Sequence, residues 1–157
     1  MKKKLFKNIL LSMVITLTVC MSLMILVLNK NFVKIEISQL AKEATLASSG
    51  VENDGESYLE IINDPDYRIT WLDSAGNVLY DTQVNSSTME NHSSREEFKK
   101  AMSEGEGSSI RYSSTMLQQN IYYAVKLDDN TVLRVAETYD SVLSLTLRLL
   151  TPILWIY

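Results

Sequence analysis

The hydropathy of the chain changes period twice along its length. From Ile9 to Leu28 there is no alternation: ILLSMVITLTVCMSLMILVL carries no charge, Pro or Gly. At about 1.5 Å rise per residue, a helix of that length covers about 30 Å, the hydrocarbon thickness of a bilayer. From Asn31 to Val51 a helical period takes over. Val33, Ile37, Leu40, Ala44, Ala47 and Val51 recur at alternating steps of four and three, a heptad seam, with Ile35, Ala41 and Leu46 widening the apolar face. Such a helix either packs on its own domain or meets a second copy along the seam. Gly50, Asn53 and Gly55 are expected to end it. A short helix over Glu56–Asn63 follows, and Asp64-Pro65-Asp66 stops that.

Beyond Tyr67 the period drops to two. Tyr67–Asp73 and Val78–Thr82 flank Ser74-Ala75-Gly76-Asn77, which predicts a hairpin. A polar loop, Gln83–His92, leads to a helix over Arg95–Ser103. Ser93 or Ser94 is its expected cap, Glu96 or Glu97 the capping-box partner, and Gly105 and Gly107 the stop. Three further strands are predicted over Ser108–Ser113, Asn120–Leu127 and Thr131–Thr138, the last two joined at Asp128-Asp129-Asn130. Finally Val142–Tyr157 is apolar except for Arg148 and a few hydroxyls; an amphipathic tail lying on the membrane competes with the favoured reading, the start of a second membrane span that is cut short.

Charge then assigns sides. Lys2, Lys3, Lys4 and Lys7 precede the apolar run, and clustered cations hold that end in the cytoplasm. The run is longer than a signal-peptide core and no Ala-x-Ala follows it, which favours an uncleaved anchor. Residues 29–140 hold ten Lys and Arg against nineteen Asp and Glu. An acidic body gives nucleic acid no basic patch to bind. Cys20, the only cysteine, lies inside the apolar run, so no intrachain disulfide forms, and one Cys with one His is too few for a zinc site.

The organisation expected is therefore a basic N-terminus (1–8), a membrane helix (9–28), membrane-proximal helices (29–66), a mixed core (67–140) and a second span from 142. The fold class is α+β. Its order, a hairpin, a crossing helix and a three-strand meander, resembles a PAS-like or single-Cache domain with a five-stranded antiparallel sheet. RITWLDSAGNVLYDTQVNSSTMENHSSREEFKKAM and GEGSSIRYSSTMLQQNIYYAVKL, within Tyr67–Val135, resemble the sensor part of phosphate-regulon-type (PhoR-like) sensor histidine kinases of Gram-positive anaerobes. The resemblance implies the extracytoplasmic sensor of a two-component kinase in a bacterial plasma membrane. It reaches a response regulator only through cytoplasmic domains absent from this sequence. Heads of chemoreceptors or cyclic-dinucleotide synthases, and stand-alone tethered binding proteins, are the alternatives.

No catalytic residue, cofactor or metal site is expected in this chain. His92, the only histidine, is followed by Ser-Ser-Arg-Glu-Glu rather than a phosphoacceptor pattern. By analogy with single-Cache domains, a ligand would sit between the sheet and the crossing helix. Tyr80, Tyr112, Tyr122 and Tyr123 could wall such a pocket, and Arg111 and Arg134 suit a carboxylate or phosphate. The candidates kept are Arg111, Arg134, Tyr80, Tyr112 and Tyr123. Asp81, Glu90, His92 and Arg95 are expected to form a structural network at the loop–helix junction, with Asp81 or Glu90 pairing with Arg95 or accepting helix amides; a titrating His92 is the competing reading. A homodimer through Val33, Ile37, Leu40, Ala44 and Ala47, and a small ligand or envelope protein, are the partners expected besides the bilayer.

Overall fold

The computed structural model describes residues 2–62, 67–113 and 118–140. The described residues fall into two compact units, 2–34 and 35–140. The apolar stretch from Val142 to Tyr157 and the Asp64-Pro65-Asp66 stop lie outside the described residues.

Helix α1 runs Lys2–Asp54. Its first part is apolar all round: within Lys3–Asp54 the most apolar stretch has a mean hydropathy of 2.6, and none of it is buried. By length and composition this helix is apolar enough to cross a membrane. Within it the hydroxyls of Thr16, Thr18 and Ser22 each donate to the carbonyl four residues back.

The second unit is built on a five-stranded, fully antiparallel sheet. Its strands are β1 (Arg68–Leu72), β2 (Val78–Asp81), β3 (Glu106–Ser113), β4 (Gln118–Lys126) and β5 (Val132–Asp140), in the order β2-β1-β5-β4-β3. Because side chains alternate along a strand, each strand feeds two cores. On one face α3 (Glu96–Glu104) sets Phe98 and Ala101 against Leu72, Ala124 and Val132. On the other lie the residues of α1 from Ile35 onward and α2 (Glu56–Ile61), with Ala47, Tyr58 and Ile62 beside Ile69 and Val135.

That second packing covers much of the heptad seam of α1. Leu40 and Ala44 are fully buried, and Ala47 and Val51 are 4% exposed, within this one chain. Four of the six seam residues are thus covered within the chain itself. Val33 and Ile37 are only half-buried. Gly50, expected to break α1, lies inside it; the helix ends at Asp54, before Gly55 at φ 60°.

A close approach fixes α3. A Cβ on Gly107 would sit 2.4 Å from Lys100 Cβ and 2.7 Å from the Glu97 carbonyl, so only glycine lets α3 lie this near β3. At the hairpin, Gly76 adopts φ 85°, and its carbonyl accepts from the His92 amide at 2.7 Å. The loop before α3 is thereby anchored to the β1–β2 turn.

Candidate functional site

Positions 68, 70, 81, 109, 111, 122 and 134 come from all five strands and lie on the face that α3 covers. Asp81 reaches it through an irregularity in the hairpin. The register pairs Thr70 with Asp81 and Trp71 with Tyr80, then Leu72 with Val78, leaving Leu79 over. Arg68 Nε donates to both Asp81 oxygens, at 3.1 and 3.0 Å, and the Thr70 hydroxyl donates to Oδ2 at 2.7 Å. The amides of Gln83 and Val84 donate to Oδ1. Thr70 in turn accepts from Arg134 Nη2 at 2.9 Å.

From Arg134 the network continues to α3. Glu97, fully buried, lies 3.6 Å from Arg134 Nη1. Its carboxylate accepts from Ser109 Oγ at 2.6 Å and from Arg111 Nη2, 2.7 Å to each oxygen. Tyr122 forms the floor: the Arg111 guanidinium carbon lies 4.0 Å from its ring centroid and that of Arg134 5.3 Å, both within cation–π range. Tyr122 also lines a cleft of about 450 Å³ with Arg68, Gln83, Asn120, Ala136, Glu137 and Thr138.

The charges in this network are held in definite states. Burial pushes the Glu97 carboxyl up, but the Ser109 hydroxyl, its own backbone amide and Arg111 outweigh it, so its pKa lies below the ordinary value. His92 is 5% exposed, and burial together with the Arg134 and Arg95 cations lowers its pKa to about 4. At neutral pH the imidazole is uncharged. Burial also lowers Arg134, although Glu97 opposes the shift.

Of the five candidate ligand residues, the fold brings two together. Arg111 and Arg134 share the α3 face over Tyr122. Tyr80, opposite Trp71, and Tyr123, opposite Val135, belong to the other face. The Tyr123 hydroxyl donates to Glu106 Oε2 at 2.6 Å. Tyr112 is half-exposed and, one residue on from Arg111, also faces away. Within the loop–helix group, Asp81 pairs with Arg68 rather than Arg95, and the amides it accepts belong to the segment after β2. Glu90 is exposed. Arg95, not Ser93 or Ser94, is the residue preceding α3, and no side chain caps the helix there.

Arg68 and Glu97 complete the site and were not among the candidates, and Tyr122, weighed as a pocket wall, was not kept. Arg68 alternates with Thr70 and Leu72, and Tyr122 with Asn120 and Ala124, so the period-two pattern placed them on one face of each strand. What the pattern lacked was which face α3 covers.

No family model matches the chain, and no curated protein matches it either. Among solved structures it is similar to the extracellular domain of a candidate histidine kinase, at 24% identity and a TM-score of 0.41. The match covers 59% of this chain and 39% of that one, so it spans well under half of the neighbour.

Proposed function

We propose that this chain is the membrane-anchored, extracytoplasmic sensing module of a bacterial two-component sensor histidine kinase, with a PAS-like (single-Cache) domain that binds a small anionic ligand. The observation that carries the reading is the cleft beside Tyr122. Arg68 stands in its wall and is 30% exposed along its side chain, while its Nε is engaged by Asp81 and its Nη2 by the weak acceptor Met89 Sδ. A guanidinium carries five donors, so among the described residues this one has donors left for an oxyanion.

Three further features support the assignment. The run Ile9–Leu28 follows four lysines, a charge pattern that supports a cytoplasmic N-terminus with the acidic body on the outer side. The five-stranded antiparallel order β2-β1-β5-β4-β3, with a helix between hairpin and meander, supports the PAS-like reading. The stretch Tyr67–Val135 resembles the sensor part of such kinases. As mechanism, ligand binding shifts the domain between two packings, and α1, with neither Gly nor Pro between Leu28 and Ser49, carries the shift towards the membrane. The ligand must then bind the two packings with different affinity.

The topology is tested with Asn85→Cys in a Cys20→Ser background, probed in intact cells with a membrane-impermeant maleimide. Labelling of intact cells is expected. Labelling only after lysis overturns the reading.

A further inference from the structure

We propose that Glu97 is a built-in occupant of an anion site, holding Arg111 and Arg134 against Tyr122 until the oxyanion of a ligand takes its place. The inference rests on the sensor reading above and assigns how that site is kept closed. It names the ligand chemistry as an oxyanion with two oxygens able to meet a guanidinium edge, a carboxylate or a sulfate-like group.

The geometry of the Glu97 contacts carries it. A carboxylate binds arginine best through two parallel bonds to two nitrogens. Here both Glu97 oxygens crowd a single nitrogen, Arg111 Nη2, at 2.7 Å each. The 3.6 Å to Arg134 Nη1 is longer than a hydrogen bond. Glu97 therefore supplies charge to two arginines and gives neither its fork. Of the Arg111 nitrogens, Glu97 engages Nη2 alone, and among the described residues the Arg134 Nε, although buried, has no hydrogen-bond partner.

Exposure is equally lopsided. The Glu97 side chain is fully buried whereas Arg111 is a third exposed, so the cation is the member a solute can reach. Arg111 pairs across the strands with Asn120, and it stacks on Tyr122; both of those residues line the cleft. An oxyanion lying on the Tyr122 wall thus meets the guanidinium edge that Glu97 leaves open.

Glu97 stands in the first turn of α3, and its contacts to Ser109, Arg111 and Arg134 are polar ties from that turn to β3 and β5. Its displacement would loosen the start of α3, which gives the ligand the differential contact that a two-state response needs.

The test titrates the full chain in lipid nanodiscs with inorganic sulfate and, separately, with succinate, by calorimetry. Glu97→Gln keeps the shape and removes the competing charge. It should bind at least one probe about tenfold or more tightly than wild type, and Ser109→Ala, which frees Glu97 of its shortest bond, should move affinity the same way by less. Hydrogen exchange adds a second readout: the bound probe should speed exchange of the Glu96–Glu104 amides in wild type. A wild type that binds while Glu97→Gln binds equally or more weakly overturns the occupant role alone. Should Glu97→Gln fail to fold, Ser109→Ala and the exchange data decide, and slower α3 exchange on binding overturns it. Binding of neither probe by any variant overturns the anionic-ligand reading and this inference with it. A gain for succinate only, or for sulfate only, supports the inference and identifies which oxyanion geometry fits.

Discussion

Arg68 Nε bridges both oxygens of Asp81 within 3.1 Å, yet the two partners differ in burial: the Asp81 side chain is wholly covered and that of Arg68 is 30% exposed. The pair should respond unequally to truncation. Asp81→Ala strands Thr70, Arg68 and the amides of Gln83 and Val84, and each buried donor left unsatisfied costs about 1–3 kcal/mol. Arg68→Met leaves Asp81 with its Thr70 and amide donors, so the loss should be about 1 kcal/mol, near that of one hydrogen bond. Urea unfolding of the two variants checks the inequality. Equal losses would show that Asp81 is held mainly by Arg68.

Gly107 predicts how closely α3 must sit. Alanine there would place Cβ against Lys100 Cβ and the Glu97 carbonyl, and backbone cannot yield as a side-chain tip can. Gly107→Ala should cost about 1–3 kcal/mol, the usual range for overpacking. Gly105→Ala offers the contrast. Nothing lies within 4 Å of its Cβ position, so its penalty comes from the positive φ alone. If Gly107→Ala unfolds at the wild-type denaturant midpoint, the α3–β3 approach is looser than described.

The strands were legible because period-two runs of β-branched and aromatic residues, bounded by turn residues, mark them; β1 to β5 lie within about two residues of expectation at each end. The site was legible only in part. Tyr80 and Asp81 show why: one extra residue between Trp71 and Leu72 pairings reverses the alternation in β2, sending Tyr80 to the α1 face and Asp81 to the α3 face. Nothing in VLYDT announces such an irregularity.

The cap of α3 failed for a related reason. Ser93 and Ser94 have the chemistry of a cap, but the Gly76 carbonyl takes the His92 amide, and His92 O then accepts from the Arg95 amide. The serines are spent in a turn and the helix starts one residue later. Likewise the heptad seam on α1 reads the same whether its partner is another helix or a sheet. Periodicity records a buried stripe and leaves open what buries it.

His92 makes stability depend on mildly acidic pH. Its folded-state pKa is about 4 against 6.5 for the free side chain, so between those values the unfolded chain binds more protons than the native one. Stability from this group is complete above pH 6.5 and declines as the pH falls towards 4. Glu97 acts lower still. Its pKa is depressed from 4.5, so its contribution is present above 4.5 and is lost below. Replacing His92 with Leu should flatten the stability profile between pH 6.5 and 4 while leaving the drop below 4.5. An unchanged slope in the upper window would place the proton uptake elsewhere.

Tyr123 supplies the corresponding limit on the alkaline side. Burial and the neighbouring Glu106 carboxylate, which accepts its hydroxyl, raise the phenol to about 12 from an ordinary 10.0. A raised pKa means that the folded state keeps a proton the unfolded state releases, so the stabilisation is full below pH 10 and disappears as the pH rises towards 12. Tyr123→Phe keeps the ring, which is 8% exposed, and removes the titration. Near neutral pH it should cost about 1 kcal/mol or slightly more, as for a hydrogen bond to a charged acceptor. Above pH 10 the gap between variant and wild type should close. Near-ultraviolet absorbance would follow the phenolate and thermal unfolding the stability. A phenol that ionises at its ordinary pKa would mean that Glu106 does not hold it in solution.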